Sequence, residues 1–149
     1  MTERLTTRYE SDTASPGFML WRVTNRWQAA MRATLAPFNL THVQFVLLAS
    51  LTWMADPIGT TQTDLSQMAR ADPMMVSQVL RVLETKGLVE RRADPNDGRA
   101  RRVSITDAGR AAAQAANQAV EATDDAFFGT DSGRPLPLIE HLSRLDERG

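Results

Sequence analysis

Several patterns are missing from this 149-residue chain, and each absence excludes a class of protein. The chain has no cysteine, which excludes disulfide scaffolds, zinc sites built on thiolates and cysteine redox switches. No apolar run approaches the roughly 20 residues that a membrane-spanning helix needs. The N-terminal residues do not show the charged-then-apolar pattern of a secretory signal. We therefore expect a cytoplasmic protein with no membrane partner.

Catalytic motifs are missing as well. The chain has two histidines, His42 and His141, and contains no His-Glu-x-x-His motif, no glycine-rich phosphate loop and no Gly-x-Ser-x-Gly elbow. The sequence therefore predicts a protein that is not an enzyme, with no metal site and no cofactor.

What the chain does have is ordinary composition and uneven charge. It is 42% hydrophobic and 23% charged, which is typical of one compact domain. The formal net charge is −1, yet the segment 81–110 carries eight basic residues against five acidic ones. Because an anionic partner responds to the local distribution of charge more than to its sum, this segment is a candidate binding region.

Apolar residues at helical spacing predict two N-terminal helices. Residues 1–15 are polar and aperiodic, which predicts a flexible arm. A helix begins at Pro16 and ends before Pro37. A second helix begins at the N-cap residue Thr41, ends before Asp56, and is apolar nearly all round, so we expect it at the centre of the fold. The apolar stripe of the first helix comprises Leu20, Val23, Trp27, Met31 and Leu35.

Two short helices joined by a tight turn are predicted next. Thr61 and Asp64 have the spacing of a capping box, with Asp in place of the usual Glu or Gln. Asp72 and Pro73 supply an N-cap and a first-turn proline for the following helix, which Gly87 ends. This is the helix-turn-helix arrangement, whose second helix can enter a DNA major groove.

A β-hairpin and a long helix complete the pattern. Strands are predicted over 88–92 and 101–105, with a turn-rich tip over 94–98. Thr106 can then cap a long helix through the alanine-rich segment 108–119. The predicted fold class is mainly α with a small β-hairpin wing, that is, a winged helix-turn-helix.

The chain ends on an amphipathic helix that a monomer has little left to cover. We therefore expect a homodimer. The predicted organisation is a single domain over 16–149, with the winged helix-turn-helix at about 40–105 and dimerisation helices at about 16–36 and 106–147. The apolar stripe of the last helix comprises Leu138, Ile139, Leu142 and Leu145.

Three stretches carry a resemblance to a known family. The stretch Asp97–Thr106, DGRARRVSIT, is similar to the wing pattern Asp-x-Arg, three residues, Val-x-(Leu/Ile)-Thr of the multiple antibiotic resistance regulator (MarR) family of bacterial transcription factors. Leu83–Arg91, LETKGLVER, resembles the end of that family's recognition helix and its first wing strand. Leu40–Phe45, LTHVQF, resembles the opening of its second helix. Gly98 stands where the family often has a basic residue. The resemblance covers roughly residues 16–146 and implies a winged helix-turn-helix with N- and C-terminal dimerisation helices.

Candidate DNA contacts lie on the predicted recognition helix and at the helix before it. Gln can pair with adenine, Arg with guanine, and Met can touch a thymine methyl group. Thr61 and Gln62 can offer polar groups to a phosphate at a helix N-terminus. A solvated helix surface is the alternative interpretation. The outward residues of the recognition helix are Met74, Ser77, Gln78 and Arg81.

The wing supplies further candidates. Arg99 at the tip suits the narrow minor groove of A·T-rich DNA, and the resemblance implies that role. Arg101 is predicted to contact phosphate, as are Arg91, Arg92 and Arg102 on the strands. Asp97 is expected to hold an arginine within the wing, since a free carboxylate would repel phosphate. Arg81 can alternatively pair with Glu84 at helical spacing.

The resemblance also implies a small aromatic effector, bound between the dimerisation helices and the DNA-binding lobe. Packing in the core explains the same candidate residues equally well. The candidates are Trp21, Trp27, Met31, His42 and Phe45.

We therefore predict a sequence-specific transcriptional regulator, a homodimeric repressor that binds an inverted-repeat operator in double-stranded DNA and is released by a small-molecule effector. The alternative is a winged helix used as a protein-interaction module, with only weak DNA affinity. The sequence leaves open the operator, the regulated genes and the effector.

Overall fold

The computed structural model describes residues 5–54, 56–130 and 136–149, and within these ranges it contains six α-helices and three β-strands. Two single-turn 3-10 helices flank α1. The wing therefore follows two short helices, as the sequence predicts for a winged helix-turn-helix. The helices and strands are α1 (Pro16–Leu35), α2 (His42–Met54), β1 (Thr60–Thr61), α3 (Gln62–Met68), α4 (Pro73–Thr85), β2 (Val89–Ala93), β3 (Arg101–Ile105), α5 (Asp107–Phe128) and α6 (Pro137–Asp146).

The sheet has one strand more than the sequence indicates. Its order is β1-β3-β2, and both pairs are antiparallel. Thr60 pairs with Val103 on one side of β3, and Arg91 pairs with Val103 on the other. The sequence does not predict β1, because two residues cannot show the alternation that is typical of a strand. The β2 strand also begins one residue later than predicted, at Val89.

Side chains begin each helix of the DNA-binding unit. The Asp64 backbone N–H donates to Thr61 Oγ1 at 3.0 Å, and the Met75 N–H donates to Asp72 Oδ1 at 2.9 Å. Arg70, between the two helices, adopts a left-handed conformation with φ of 50°. These caps satisfy backbone donors that have no partner inside the helix, which confirms both predicted N-termini.

The α2 helix lies at the centre of the fold, as its apolar sequence predicts. It contributes buried residues on several sides, whereas α4 contributes one buried stripe and exposes the opposite face. The strands add Val89 and Val103 to the same core. The buried apolar residues of α2 and α4 are Phe45, Leu47, Leu48, Leu51, Val76, Leu80 and Leu83.

Apolar side chains on α1 and α6 are not covered within one chain. In the predicted α1 stripe, Met31 and Leu35 are fully buried, but Leu20 is 57% exposed and Trp21 beside it is 70% exposed. The predicted α6 stripe is exposed throughout. These apolar surfaces therefore stay exposed to water unless they are covered by something outside the described part of the chain.

Within the described ranges, no single helix is long and apolar enough to cross a bilayer. The segments Pro16–Phe38 and His42–Met54 meet the length and composition criteria only as a pair bent by 78°. The second segment is the central helix α2, which buries Phe45, Leu47, Leu48 and Leu51 in the core.

The close packing of the first turn of α5 can be tested at Gly109. A Cβ there would collide with the Leu88 carbonyl oxygen and approach Ile105 Cγ1 at 2.9 Å. We expect Gly109→Ala to lower the free energy of unfolding by about 1–3 kcal/mol, the usual cost of overpacking. Urea denaturation measures it. Gly17→Ala, in the first turn of α1 with open space around it, is the matched control and should be neutral or mildly stabilising. Equal effects of the two variants would contradict the close packing at Gly109.

Candidate nucleic-acid interface

The outward face of α4 presents all four residues that the sequence assigns to DNA contact. Met74 is 75% exposed, Gln78 and Arg81 are exposed, and Ser77 is half-buried. This follows from the amphipathic sequence, which buries the opposite face in the core. The geometry is as predicted, and contact of these side chains with DNA stays a prediction.

The wing tip is a turn organised by its own carboxylates. The Asn96 backbone N–H donates to Asp94 Oδ1 at 2.8 Å, and the Arg99 N–H donates to Asp97 Oδ1 at 3.0 Å. The Asp94 N–H donates to the Ala100 carbonyl and closes the turn at 3.0 Å. The Arg99 side chain is exposed at this tip. The tip is thus shaped by local hydrogen bonds that leave Arg99 projecting into solvent.

The wing arginine that is held by a carboxylate is Arg102, and its partner is Asp94, not Asp97. Arg102 Nε donates to Asp94 Oδ2 at 2.8 Å, and Nη1 donates to the Gly59 carbonyl at 2.6 Å. Asp56 Oδ2 lies 3.9 Å from the same Nη1. The Arg102 side chain is only 19% exposed. Arg102 is therefore held by internal partners instead of being offered to phosphate, and Asp97 holds Arg99 through its backbone N–H, not through a guanidinium.

The buried carboxyl of Asp94 is stabilised as an anion. The Asn96 N–H, and after it the Arg102 guanidinium, hold the pKa of Asp94 below its ordinary value of 3.8, although burial acts in the opposite direction. Hydrogen bonds donated to the charged form outweigh its desolvation. Asp94 therefore stays ionised at neutral pH and keeps Arg102 in place.

Arg91 is also held inside the molecule. Its Nη1 donates to Gln62 Oε1 at 3.3 Å and its Nη2 to Glu84 Oε1 at 3.4 Å. The Arg91 backbone N–H donates to Glu84 Oε2 at 3.1 Å. Glu84 therefore pairs with Arg91, and the alternative pairing with Arg81 is not found among the described residues.

These contacts surround a polar cavity of about 360 Å³ that faces outward between α4 and the wing. The N-terminal turn of α3 closes one side, where Thr61 caps the helix and Gln62 contacts Arg91. We call this cavity the basic pocket. Its lining residues are Gln62, Ser77, Arg81, Glu84, Arg91 and Arg101.

Arg92 and Arg101 remain exposed, on opposite faces of the hairpin. Arg101 shares its face of β3 with the buried Val103 and lines the basic pocket. The Arg92 side chain is 79% exposed, and Nη2 donates to Glu90 at 3.1 Å. Side chains alternate along a strand, so Arg92 points away from the pocket. The structure thus divides the four wing-strand arginines into two internal and two exposed side chains.

The predicted effector residues do not line one cavity. The Trp27 and His42 rings meet edge to face at 5.0 Å, and burial lowers the pKa of His42. Trp27 Nε1 donates to Asp124 at 2.8 Å. Met31 is fully buried in the core. Packing accounts for the positions of these three residues, Phe45 lines a described cleft, and the assignment of the set to an effector pocket stays a prediction.

That cleft, of about 250 Å³, lies between α2 and α5. Phe45 and the 75%-exposed Trp53 supply aromatic surface. The sequence does indicate the α5 side of this cleft, because the polar lining positions recur every three or four residues along the helix. The other lining residues are Ala49, Thr52, Arg110, Ala113, Gln114, Asn117 and Glu121.

The chain is similar in sequence to known transcriptional regulators. A family model described as "MarR family" matches residues 40–100. The HTH-type transcriptional regulator YdcH of Bacillus subtilis, itself uncharacterised, is 43% identical over 122 residues, which are 81% of this chain and 83% of that protein. The HTH-type transcriptional repressor Rv2887 of Mycobacterium tuberculosis is 34% identical over 76% of this chain and 80% of that protein. The chain belongs to the MarR family.

Solved MarR-family structures share the fold. CouR from Rhodococcus jostii, bound to p-coumaroyl-CoA, has a TM-score of 0.76 with 24% identity and covers 91% of this chain and 92% of CouR. The Staphylococcus aureus MepR–DNA complex has a TM-score of 0.78 with 19% identity and covers 91% of this chain and 98% of MepR. These likenesses confirm the winged helix-turn-helix fold. The relatives are transcriptional regulators, as the sequence predicts for this chain, and not enzymes.

The Asp94–Arg102 pair should make the stability of this MarR-family protein depend on pH. Because the folded-state pKa of Asp94 is depressed, its contribution to stability is present above pH 3.8 and is lost as the pH falls through the lower folded pKa. We expect Asp94→Asn to lower the urea midpoint at pH 7, with the difference from wild type shrinking below pH 4. Asp97→Asn keeps an acceptor for the Arg99 N–H and serves as control. A difference that persisted unchanged at pH 3 would refute the ionised pair.

Proposed function

We propose that the protein is a homodimeric transcriptional repressor that binds an inverted-repeat operator and releases it when a small aromatic acid binds. One observation supports DNA binding: outward residues of α4 and residues of the wing strands line the same outward-facing basic pocket. A recognition helix and a wing on one side of the molecule can engage one duplex together. A regulator of this kind acts in the cytoplasm, where the chromosome is.

The recognition helix and the wing then contact different grooves of the duplex. In the major groove, Gln78 and Arg81 hydrogen-bond base edges, while Met74 and Ser77 contact the neighbouring bases or phosphates. In the adjacent minor groove, the exposed Arg99 responds to groove width and so favours A·T-rich flanks. Arg101 contacts phosphate.

The α3 N-terminus adds positioning contacts. Thr61 Oγ1 already accepts the Asp64 N–H, and Gln62 Oε1 accepts from Arg91, so these oxygens are occupied. What remains for phosphate is the donor side of both groups, the Thr61 hydroxyl hydrogen and the Gln62 amide NH₂.

Dimerisation covers the apolar surfaces that one chain leaves exposed. The exposed stripe of α6 and the N-terminal half of α1 both provide apolar area to bury, and the α6 stripe comprises Leu138, Ile139, Leu142 and Leu145. Two recognition helices must sit about 34 Å apart to reach successive major grooves on one face of B-DNA. The dimer therefore sets the spacing of the two half-sites.

The cleft between α2 and α5 is the proposed effector site. Phe45 and Trp53 offer ring surface at one end. Arg110, in the first turns of α5, has no ion-pair partner in the described part of the chain, so its guanidinium is available to a carboxylate, which the positive end of the helix also favours. A volume of about 250 Å³ suits a compound with a single ring.

The DNA-binding proposal is tested by selecting bound fragments from a random duplex pool and titrating variants on the preferred and on scrambled duplexes. We expect Gln78→Ala and Arg81→Ala each to cost roughly 1–3 kcal/mol on the preferred duplex and much less on scrambled DNA. Gln118→Ala, on the exposed face of α5, is the matched control and should bind as wild type does.

Two outcomes would contradict this assignment. Equal losses on preferred and scrambled duplexes would remove Gln78 and Arg81 from base recognition. Binding without sequence preference, weak at physiological salt, would favour the alternative of a protein-interaction module whose basic wing docks an acidic partner.

The effector proposal is tested with benzoate, salicylate and p-coumarate. We expect at least one of them to raise the melting temperature of the protein and to weaken its binding to the selected duplex, because a ligand that prefers one arrangement of the lobes shifts the population toward it. Arg110→Gln should abolish both effects. Arg8→Gln, on the exposed N-terminal segment, should leave both unchanged. An unaltered response of Arg110→Gln would place the effector elsewhere.

A further inference from the structure

The basic pocket lies where a duplex must cross the protein surface. If α4 enters a major groove and the wing tip enters the adjacent minor groove, the two elements lie on either side of the sugar-phosphate strand that separates those grooves. That strand must therefore pass between α4 and the wing. The pocket opens at this location, because its lining combines Ser77 and Arg81 of α4 with Arg91 and Arg101 of the wing strands.

The charge of the pocket suits a phosphate. Three arginines and one glutamate line it, together with two neutral polar side chains. In a chain whose formal net charge is −1, this is a local excess of positive charge. Of these three arginines, Arg81 and Arg101 are exposed, whereas the Arg91 side chain is only 17% exposed.

Arg91 is held in position but is incompletely hydrogen-bonded. Its contacts with Gln62 and Glu84, at 3.3 and 3.4 Å, are at the long limit for hydrogen bonds. Its Nε is shielded from solvent and has no hydrogen-bond partner within the described residues. A buried charged donor without a full set of acceptors is unfavourable, and a phosphate offers acceptors in the geometry that a guanidinium matches.

Glu84 orients this guanidinium. One of its carboxylate oxygens accepts the Arg91 backbone N–H, and the other accepts from Nη2. The carboxylate thus fixes both the strand and the side chain at the C-terminal end of α4. Glu84 is a positioning residue, and its negative charge also opposes any anion that enters the pocket.

We propose that the basic pocket binds one phosphate of the DNA backbone in each half-site, with the Arg91 guanidinium as its principal ligand and Glu84 as the group that orients Arg91. This proposal rests on the proposed DNA-binding function and adds to it a specific anchor between the two grooves. The anchor carries no base information. It sets the register in which α4 and the wing meet their grooves.

The test replaces the phosphates of the selected duplex, one at a time, with neutral methylphosphonates. We expect one position in each half-site at which the replacement weakens wild-type binding by about tenfold or more, the usual effect of losing a charged hydrogen bond. At that position the replacement should not weaken Arg91→Gln further, because its partner is already gone. Arg92→Gln makes the same change of charge one residue away on the opposite face, and should keep the wild-type sensitivity.

Further variants keep the result interpretable if Arg91→Gln folds poorly. Arg91→Lys retains the charge and should recover part of the sensitivity at the same position. Glu84→Gln keeps an acceptor for the Arg91 N–H and removes the opposing charge, so it should tighten binding to preferred and scrambled duplexes alike. Circular dichroism melting of each variant without DNA reports its folding.

Three results would overturn the proposal. Arg91→Gln could remain as sensitive as wild type at every methylphosphonate position, or Arg92→Gln could lose the sensitivity as Arg91→Gln does. The third result is wild-type binding that no methylphosphonate position weakens, together with free wild-type protein that melts higher in inorganic phosphate than in chloride of equal ionic strength and Arg91→Gln that does not respond, which would assign the pocket to a free anion. A wild-type protein that binds no duplex would instead fail in the selection itself, so the failure of the proposed function is recognised separately.

Discussion

The three-stranded sheet that supports the wing depends on the Arg102 guanidinium. It joins the turn of the wing, through Asp94, to the segment before β1, through the Gly59 carbonyl. Gly59 makes this possible, because its φ of 88° is left-handed and a Cβ there would meet Ser104 Oγ at 2.8 Å. Since β1 runs directly into α3, the same guanidinium ties the wing to the first helix of the DNA-binding unit. The wing is thus fixed to α3 by Arg102, and to the recognition helix α4 by the Glu84–Arg91 contacts.

Strand alternation decides which wing-strand arginines reach the basic pocket. Arg101 and Arg102 are neighbours with the same charge, yet one lines the basic pocket and the other is enclosed by carbonyl and carboxylate groups. On the paired strand, Arg91 lines the pocket and Arg92 lies on the opposite face, where it is 79% exposed. Charge density along the sequence therefore overstates the number of side chains that can meet DNA at this pocket, because Arg102 is committed to internal partners and Arg92 points away.

The sequence could predict the features that depend on local chemistry. The helix caps at Thr61 and Asp72, the strand β3 and the central position of α2 are set by neighbouring residues, and each is found as expected. The choice between Asp94 and Asp97 as the partner of an arginine could not be predicted. Both carboxylates lie in the same turn, and only the approach of the segment before β1 decides which of them meets Arg102.

Helical periodicity likewise could not predict which apolar residues of α1 pack in the core and which stay exposed. Leu20 and Met31 belong to one stripe, but α2 and α5 cover only the C-terminal half of the helix, so one end packs in the core and the other stays exposed. For the same reason periodicity does not distinguish a pocket residue from a core residue, and Met31, an effector candidate from the sequence, lies fully buried in the core. A cleft between helices depends on their relative placement, which a single stripe does not encode.

The first turn of α5 links the cleft to the wing. Thr106 Oγ1 donates to the Gly87 carbonyl at 2.7 Å, the Thr106 N–H donates to Leu88, and Gly109 packs directly against that residue. Arg110 of the cleft is the next residue along the helix. A ligand that changes the distance between α2 and α5 at Arg110 must therefore either break these contacts or move the wing with α5. Because close-packed contacts of this kind resist deformation, we expect the wing to move with α5 if the proposed effector binds in the cleft, and the spacing of recognition elements across the proposed dimer to change with it.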